Sequence, residues 1–269
     1  MKVQSLIEKG SSSINEDSYF VSQNYFGIFD GATSLVKYLD SNGNTGALLA
    51  SKTAKEIFEK NPDQPLISSF QEANLKIRDM EEKAGVNLDN KSCLWSTTVS
   101  VVRINDKSIE CLAVGDSPII IVDKENNLKT YFVDHDLETM VLWEKMVKEG
   151  VKDKRADKRT LDQLIKTRLR SNVTYGFVNG EKEALSFVKT AIFPRDSIKY
   201  VLLFTDGMLI PREKSDAPED FGKIVKLFEE GGLKKIKNYV RDLENSDPDC
   251  IKYLRFKLHD DLTAIAVTL

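Results

Sequence analysis

Cysteine is scarce. Cys93, Cys111 and Cys250 are the three in 269 residues, far apart and without a CxxC pair, so neither a disulfide framework nor a thiolate zinc site is indicated. Reduced thiols in a cytosol are the reading that follows. No apolar run reaches the ~18 residues of a membrane-spanning helix, and Met1 leads into Lys2-Val3-Gln4-Ser5 without the apolar core of an export signal. The expected protein is soluble, cytoplasmic and not exported, with no membrane partner. A strong charge of one sign is missing too. The formal net charge is −3, too near balance to gather a polyanion, which argues against nucleic acid as a partner. Internal repeats, low-complexity tracts and long Pro/Gly/Ser linkers are absent, so a single domain over residues 1–269 is expected, as a monomer.

What is present is a 41% apolar content that supports a sizeable core. Strand-like runs fill Ser18 to Phe29, Leu94 to Val133, Glu183 to Thr205 and Leu262 to Leu269. In the second zone Thr97, Val99 and Val101 alternate with Thr98, Ser100 and Val102, and a turn at Asn105-Asp106 follows, the pattern of an antiparallel meander. Helical periodicity marks Thr45 to Lys60 and Leu66 to Met80. A second helix pair carries Ile224, Leu227 and Phe228, then Leu233, Ile236, Val240 and Leu243, joined at Gly231-Gly232. Helix pairs segregated from runs of strands predict an α+β fold, a four-layer α-β-β-α sandwich of two antiparallel sheets covered by helices. Charged helical stretches at Glu138 to Glu149 and Asp157 to Arg170 predict an exposed insertion over about 138–180, with Leu161, Leu164, Ile165 and Leu169 as the buried side of the second. The basic run Lys152 to Arg159, with Lys166, Arg168 and Arg170 beyond it, reads as a solvated face, or as a contact for an acidic or phosphorylated partner.

Acidic clusters sit where strand-like runs stop or begin: Asn15-Glu16-Asp17, Asp30-Gly31, Thr205-Asp206-Gly207 and His259-Asp260-Asp261, with Gly115-Asp116-Ser117 in the meander. A fold that aligned the strand ends would gather these carboxylates, and gathered carboxylates must protonate or bind cations. Oxygen-only ligands suit Mg²⁺ or Mn²⁺. Any one cluster alone is better explained as a turn, because Asp-Gly is a common turn dipeptide.

Their order, together with Ser96-Thr97-Thr98 before a strand and Asp260-Asp261-Leu262-Thr263 before the last one, closely resembles the metal-dependent protein phosphatases of type 2C, the PPM family, in its bacterial form. The resemblance runs through nearly the whole chain. It implies a β-sandwich between helix pairs and a Mn²⁺- or Mg²⁺-dependent protein serine/threonine phosphatase acting in signalling on phosphorylated proteins. By similarity Asp30 bridges two ions, the Gly31 carbonyl binds one, and Asp206 and Asp260 bind the other. Asp17 holds metal directly or through water, with Glu16 beside it, and Asp116, sharing Asp206, serves a third ion. Asp30, Asp206 and Asp260 form the implied catalytic set, and Asp261 faces away to support a turn.

The chain departs from the family at two places. Ser12 stands where many relatives have a phosphate-holding arginine, leaving Ser11 to Ser13 or Lys9 as substitutes, and Ala32 replaces a histidine proposed elsewhere as general acid. His259 is read as a surface or supporting residue, or as a proton donor, and His135 as part of a solvated turn. Tyr175 to Gly180 resembles a short segment of some bacterial members. Two other readings stay open: a pseudophosphatase that binds phosphoproteins without turnover, and a phosphatase of small metabolites.

Overall fold

In the computed structural model, which describes residues 1–151 and 153–269, strand faces sort themselves by the side-chain alternation of extended chain. The first half contains β1 (Lys2–Glu8), β2 (Ser18–Val21), β3 (Tyr25–Phe29), β4 (Gly31–Ala32), α1 (Gly46–Lys60), α2 (Leu66–Lys83), β5 (Ser96–Thr97), β6 (Val99–Ile104) and β7 (Ser108–Val114). Then come β8 (Ile119–Asp123), β9 (Leu128–Tyr131), α3 (Leu137–Lys148), α4 (Lys158–Leu169), β10 (Lys189–Pro194), β11 (Ile198–Phe204), α5 (Phe221–Asn245) and β12 (Leu262–Thr268). Two five-stranded antiparallel sheets result, ordered β1-β12-β11-β8-β9 and β10-β7-β6-β3-β2, with β4 and β5 paired as a short ribbon.

Every residue of β3 is buried, because both of its faces are covered. Tyr25 and Phe29 point to a core shared with α1 and α2, while Phe26 and Ile28 meet Val201, Leu203, Ile265 and Val267 of the other sheet. On the far side, Leu202, Phe204, Ala264 and Ala266 pack under Ile224, Leu227, Leu233 and Ile236 of α5. Three stacked cores therefore separate four layers, the predicted α+β sandwich. Helix α1 starts at Thr45, whose hydroxyl accepts from Leu48 N at 3.2 Å, an N-cap that satisfies one free amide. Helix α5 leaves helical geometry at Gly231 and Gly232, the latter at φ +70°, so the expected helix pair exists as two halves of one element.

One strand went unforeseen and one expectation fails. Strand β1 was not expected: it is an edge strand of alternating half-exposed residues, in which only Val3 and Leu6 reach a core. The leucine stripe of α4 is not its buried side, since Leu161 and Leu169 are 49% and 51% exposed. Instead α4 buries Thr160 and Thr167. Thr160 accepts from the Trp143 indole at 3.1 Å and donates to the Lys154 carbonyl at 2.6 Å, and the Thr167 carbonyl takes the Tyr175 hydroxyl at 2.7 Å. Hydrogen bonds thus fix the inward face. Helix α3 supplies Met140, Trp143 and Met146 to a small separate core with Leu254. No helix among the described residues is long and apolar enough to cross a membrane, and all three cysteines are free thiols.

Candidate metal centre

Asp30 ends β3 because its backbone is clamped from three sides. Its amide donates to Thr98 Oγ1 at 3.1 Å, and its carbonyl accepts from the Thr97 hydroxyl at 2.8 Å and the Thr98 amide at 2.9 Å. The Thr98 hydroxyl lies 2.6 Å from that of Ser117, and Ser100 donates to the Ser117 carbonyl at 2.6 Å. These contacts tie Asp30 to the turn holding Asp116. Gly31 fits where no side chain would: a Cβ would lie 2.7 Å from the Glu16 carbonyl oxygen and 2.8 Å from that of Ala47. Gly31→Ala is therefore expected to destabilise the protein by about 1–3 kcal/mol through overpacking against main chain, read as a lower midpoint in denaturant unfolding.

On the second sheet, Thr205 joins the ends of two strands. Its hydroxyl donates to Asp17 Oδ2 at 2.9 Å and accepts from Thr263 N at 2.9 Å. Asp261 accepts from Gly10 N at 2.7 Å and Glu16 N at 2.9 Å, so it positions the amino-terminal loop, the supporting part expected of it. Glu16 is held aside, its two carboxylate oxygens taken by Thr33 at 2.6 Å and Thr45 at 2.5 Å. Asp17 is the neighbour left for the centre, and its Oδ1 is buried without a partner.

Asp30, Gly31, Asp116, Asp206 and Asp260 come together as walls of one cleft of about 380 Å³. Burial, and then the field of Asp206 and Asp17, hold the Asp30 carboxyl well above the usual carboxylate range. Burial and then Asp260 and Asp116 do the same to Asp206. Burial raises Asp17 to about 7, with Thr263 and Thr205 opposing and Asp261 and Asp260 reinforcing the shift, and burial also raises Asp116. Carboxyls pushed upward by burial and by one another's charge mark a site that lacks positive charge. The cleft is lined by the carboxylates of Asp30, Asp116, Asp206 and Asp260, an oxygen-rich set that fits Mg²⁺ or Mn²⁺; Asp17, whose field reaches Asp30 and Asp206, adds one orphaned carboxylate oxygen. Lys257 supplies part of the missing charge, its Nζ 2.6 Å from Asp260 Oδ1. Burial alone would lower its pKa, yet Asp260, Asp206 and Asp30 together raise it.

A family profile described as protein phosphatase 2C matches residues 8–241. The chain belongs to the protein phosphatase 2C family. The matched stretch stops before Asp260, and it is the fold that returns Asp260 to the cleft beside Asp30 and Asp206. Among solved structures, serine/threonine phosphatase Stp1 from Staphylococcus aureus is similar at 16% identity and TM-score 0.60, over 100% of this chain and 94% of that one. The Mycobacterium tuberculosis phosphatase PstP/Ppp follows at 14% identity and TM-score 0.59, over 100% and 98%. The catalytic domain of PstP in complex with two manganese ions aligns at 13% identity and TM-score 0.58, over 98% and 96%. At these identities the likeness is one of fold. No curated protein gave a significant sequence match.

Several side chains of this phosphatase 2C chain lie elsewhere than the sequence suggested. His135 is not in a solvated turn. Its side chain is 8% exposed, stacks on Tyr175 with ring centroids 4.6 Å apart, and brings Nδ1 to 3.3 Å from Asp116 Oδ2. With Asp136 these two residues offer ligand atoms within 4.8 Å of one another. Tyr175 and Phe177 line the cleft, giving the Tyr175 to Gly180 segment a place in the site. His259 is a supporting residue, its Nδ1 2.8 Å from Glu244 Oε2. Two of the substitutes for an arginine at Ser12 are occupied elsewhere: Ser11 donates to the His259 carbonyl at 2.9 Å, and Lys9 reaches the Ser13 carbonyl at 3.4 Å. The basic run does not share one solvated face, for Lys154 is buried and Arg155 borders the cleft, while Lys152 lies outside the described residues. Sequence reasoning missed Lys257, and it offered Arg168 only as part of a basic face open to an acidic or phosphorylated partner, not as a residue of the cleft. Arg168 Nη1 donates to Ser96 Oγ and its Nη2 to the Thr33 carbonyl, both at 3.1 Å, and its guanidinium lies 5.5 Å from the centre of the Phe177 ring.

Proposed function

We propose that this chain is a Mn²⁺- or Mg²⁺-dependent protein serine/threonine phosphatase whose cleft holds two divalent cations through Asp30, the Gly31 carbonyl, Asp206, Asp260 and Asp17. Asp116 serves a third ion, with His135 and Asp136 beside it. The observation that carries this reading is the convergence of four carboxylates from distant strand ends, Asp30, Asp116, Asp206 and Asp260, on one cleft. The manganese ions in the PstP complex support the choice of metal. When bound, such cations activate water at neutral pH and neutralise phosphoryl oxygens during in-line displacement.

The chain's own residues supply the rest. The threonine and serine hydroxyls behind Asp30 and Asp116 fix ligand positions before any ion arrives, which keeps reorganisation small. Lys257, 2.6 Å from Asp260, screens that carboxylate and would give way to cations held there. Tyr175, Phe177 and Trp143 add apolar surface to the cleft lining; they exclude water and leave room for a peptide segment beside the phosphate. Residues 138–180 act as a flap that selects the phosphoprotein. Phosphorylated protein is the substrate, distinguished from small esters by contact with this segment.

The test compares kcat/KM for a phosphothreonine peptide with that for p-nitrophenyl phosphate at the same Mn²⁺ concentration. The peptide is expected to be the better substrate by at least about tenfold, roughly one extra well-made contact. Turnover of the small ester with none of the peptide would favour a metabolite phosphatase.

A further inference from the structure

A guanidinium drawn out of water normally pairs with a carboxylate, as three buried or half-buried arginines here do: Arg241 with Glu8 at 2.9 Å and Glu244 at 2.8 Å, Arg212 with Asp134 at 2.9 Å, Arg255 with Asp247 at 3.1 Å. Arg168 differs. No carboxylate oxygen of the described residues lies within 4.0 Å of its nitrogens, and its hydrogen-bond partners are the neutral Ser96 hydroxyl and Thr33 carbonyl. Burial pulls its pKa down, and only the more distant field of Tyr175, Asp136, Asp116 and Glu16 opposes this. Arg168 is therefore a fixed cation with unused donors, in the wall of the cleft that contains Asp30 and Asp206. The other cations there are differently placed: Lys257 is engaged by Asp260, and Arg155 is exposed to solvent.

Its position is fixed by construction. Ser96 pairs with Ala32 in the β4–β5 ribbon, so both hydrogen-bond partners of the guanidinium lie within three residues of Asp30 or opposite that stretch. Phe177 covers one face of the planar group, which holds its orientation without neutralising its charge. A planar fork of donors with no counterion, beside a centre that gathers cations, suits a tetrahedral dianion able to take two parallel hydrogen bonds.

We propose that Arg168 is a binding residue for the phosphoryl group of a phosphate monoester, delivered into the cleft by α4. This deepens the phosphatase reading and rests on it. Because α4 belongs to the 138–180 segment, phosphate binding also fastens that segment over the substrate.

Arg168→Gln keeps an amide able to donate to Ser96 or Thr33 while removing the charge, and Arg168→Lys keeps the charge while losing the fork. With Mn²⁺ saturating, both KM for p-nitrophenyl phosphate and the inhibition constant of inorganic phosphate are expected to rise roughly 10- to 100-fold in Arg168→Gln, the loss of one charged contact. A smaller rise is expected in Arg168→Lys. Mn²⁺ affinity by calorimetry is expected to stay unchanged, which a general collapse of the cleft would not allow. Unchanged KM and unchanged phosphate inhibition in Arg168→Gln would overturn the proposal while leaving the metal-dependent phosphatase intact. If the wild-type protein turns over neither ester, the phosphatase reading is what fails, and calorimetric binding of inorganic phosphate to Mn²⁺-loaded wild type and Arg168→Gln still decides the role of Arg168: weaker binding in the variant supports it, and equal binding contradicts it.

Discussion

Asp206→Asn is expected to lower hydrolysis by about 10³-fold or more while leaving the protein folded. Asp206 stands at the end of β11 in the cleft with Asp30, Asp116 and Asp260, and the substitution removes one negative charge from the group that holds the cations. Cations at such centres contribute several kcal/mol of charge stabilisation in the transition state, and each ~1.4 kcal/mol is a factor of ten in rate. The fold has no comparable stake in this carboxylate. Burial and the fields of Asp260 and Asp116 already oppose its ionisation, so a neutral isostere relieves repulsion in the metal-free protein. Its melting temperature should stay level or rise by roughly 2–4 °C, the response to ~1 kcal/mol in a domain of this size. Thermal melts with and without Mn²⁺, beside the hydrolysis assay, check both halves. Full activity in the variant would remove Asp206 from the metal set.

A second large effect concerns pH and metal together. In the folded, metal-free protein Asp17 keeps its proton up to about 7, and Asp30 and Asp206 are also raised. The unfolded chain releases these protons near pH 4. Between those values the folded state binds more protons, so stability contributed by the site falls as pH rises, and below about 4 the penalty is absent. Glu8, lowered by Lys237 and Arg241 against the effect of burial, has the opposite dependence but completes it near the unfolded value of ~4.3. Saturating Mn²⁺ takes the place of the protons. At a hundred times its dissociation constant a ligand adds about 2.7 kcal/mol, or roughly 5–10 °C here. Melting curves with and without Mn²⁺ should converge near pH 4 and separate steadily toward pH 8. Parallel curves across that range would contradict the placement of cations at these carboxylates.

Much of this was legible in the sequence where a signal was local and repeated. The apolar run Tyr25 to Phe29 stops at Asp30 and the run Tyr200 to Phe204 stops just before Asp206, and both read as buried strands ending in turns because the period and its interruption lie within a few residues. Gly231-Gly232 marked the break in α5 for the same reason. The pairing of Asp206 with Asp260 came from resemblance, since nothing in the spacing of residues 54 apart by sequence fixes their separation in space. What escaped was tertiary. Strand β1 has too few apolar residues to announce itself, for its register is set by β12. The inward face of α4 is chosen by hydrogen bonds at Thr160 and Thr167, and a hydrophobic stripe search weighs only the leucines. Lys257 looks like an ordinary surface charge, and Arg168 like one more cation of a basic helix, until the loop before β12 and α4 bring them into the lining of the acidic cleft. His135 became a cleft residue only through its stacking on Tyr175, 40 positions later.

The most direct test of the central claim is hydrolysis of p-nitrophenyl phosphate by metal-stripped protein titrated with Mn²⁺ and Mg²⁺, with Asp30→Asn as the parallel sample. Turnover that is absent without metal, returns on titration, and stays absent in Asp30→Asn is the expected result. Turnover that persists in chelator, or that Asp30→Asn retains, would contradict a metal centre built on the ends of β3 and β11.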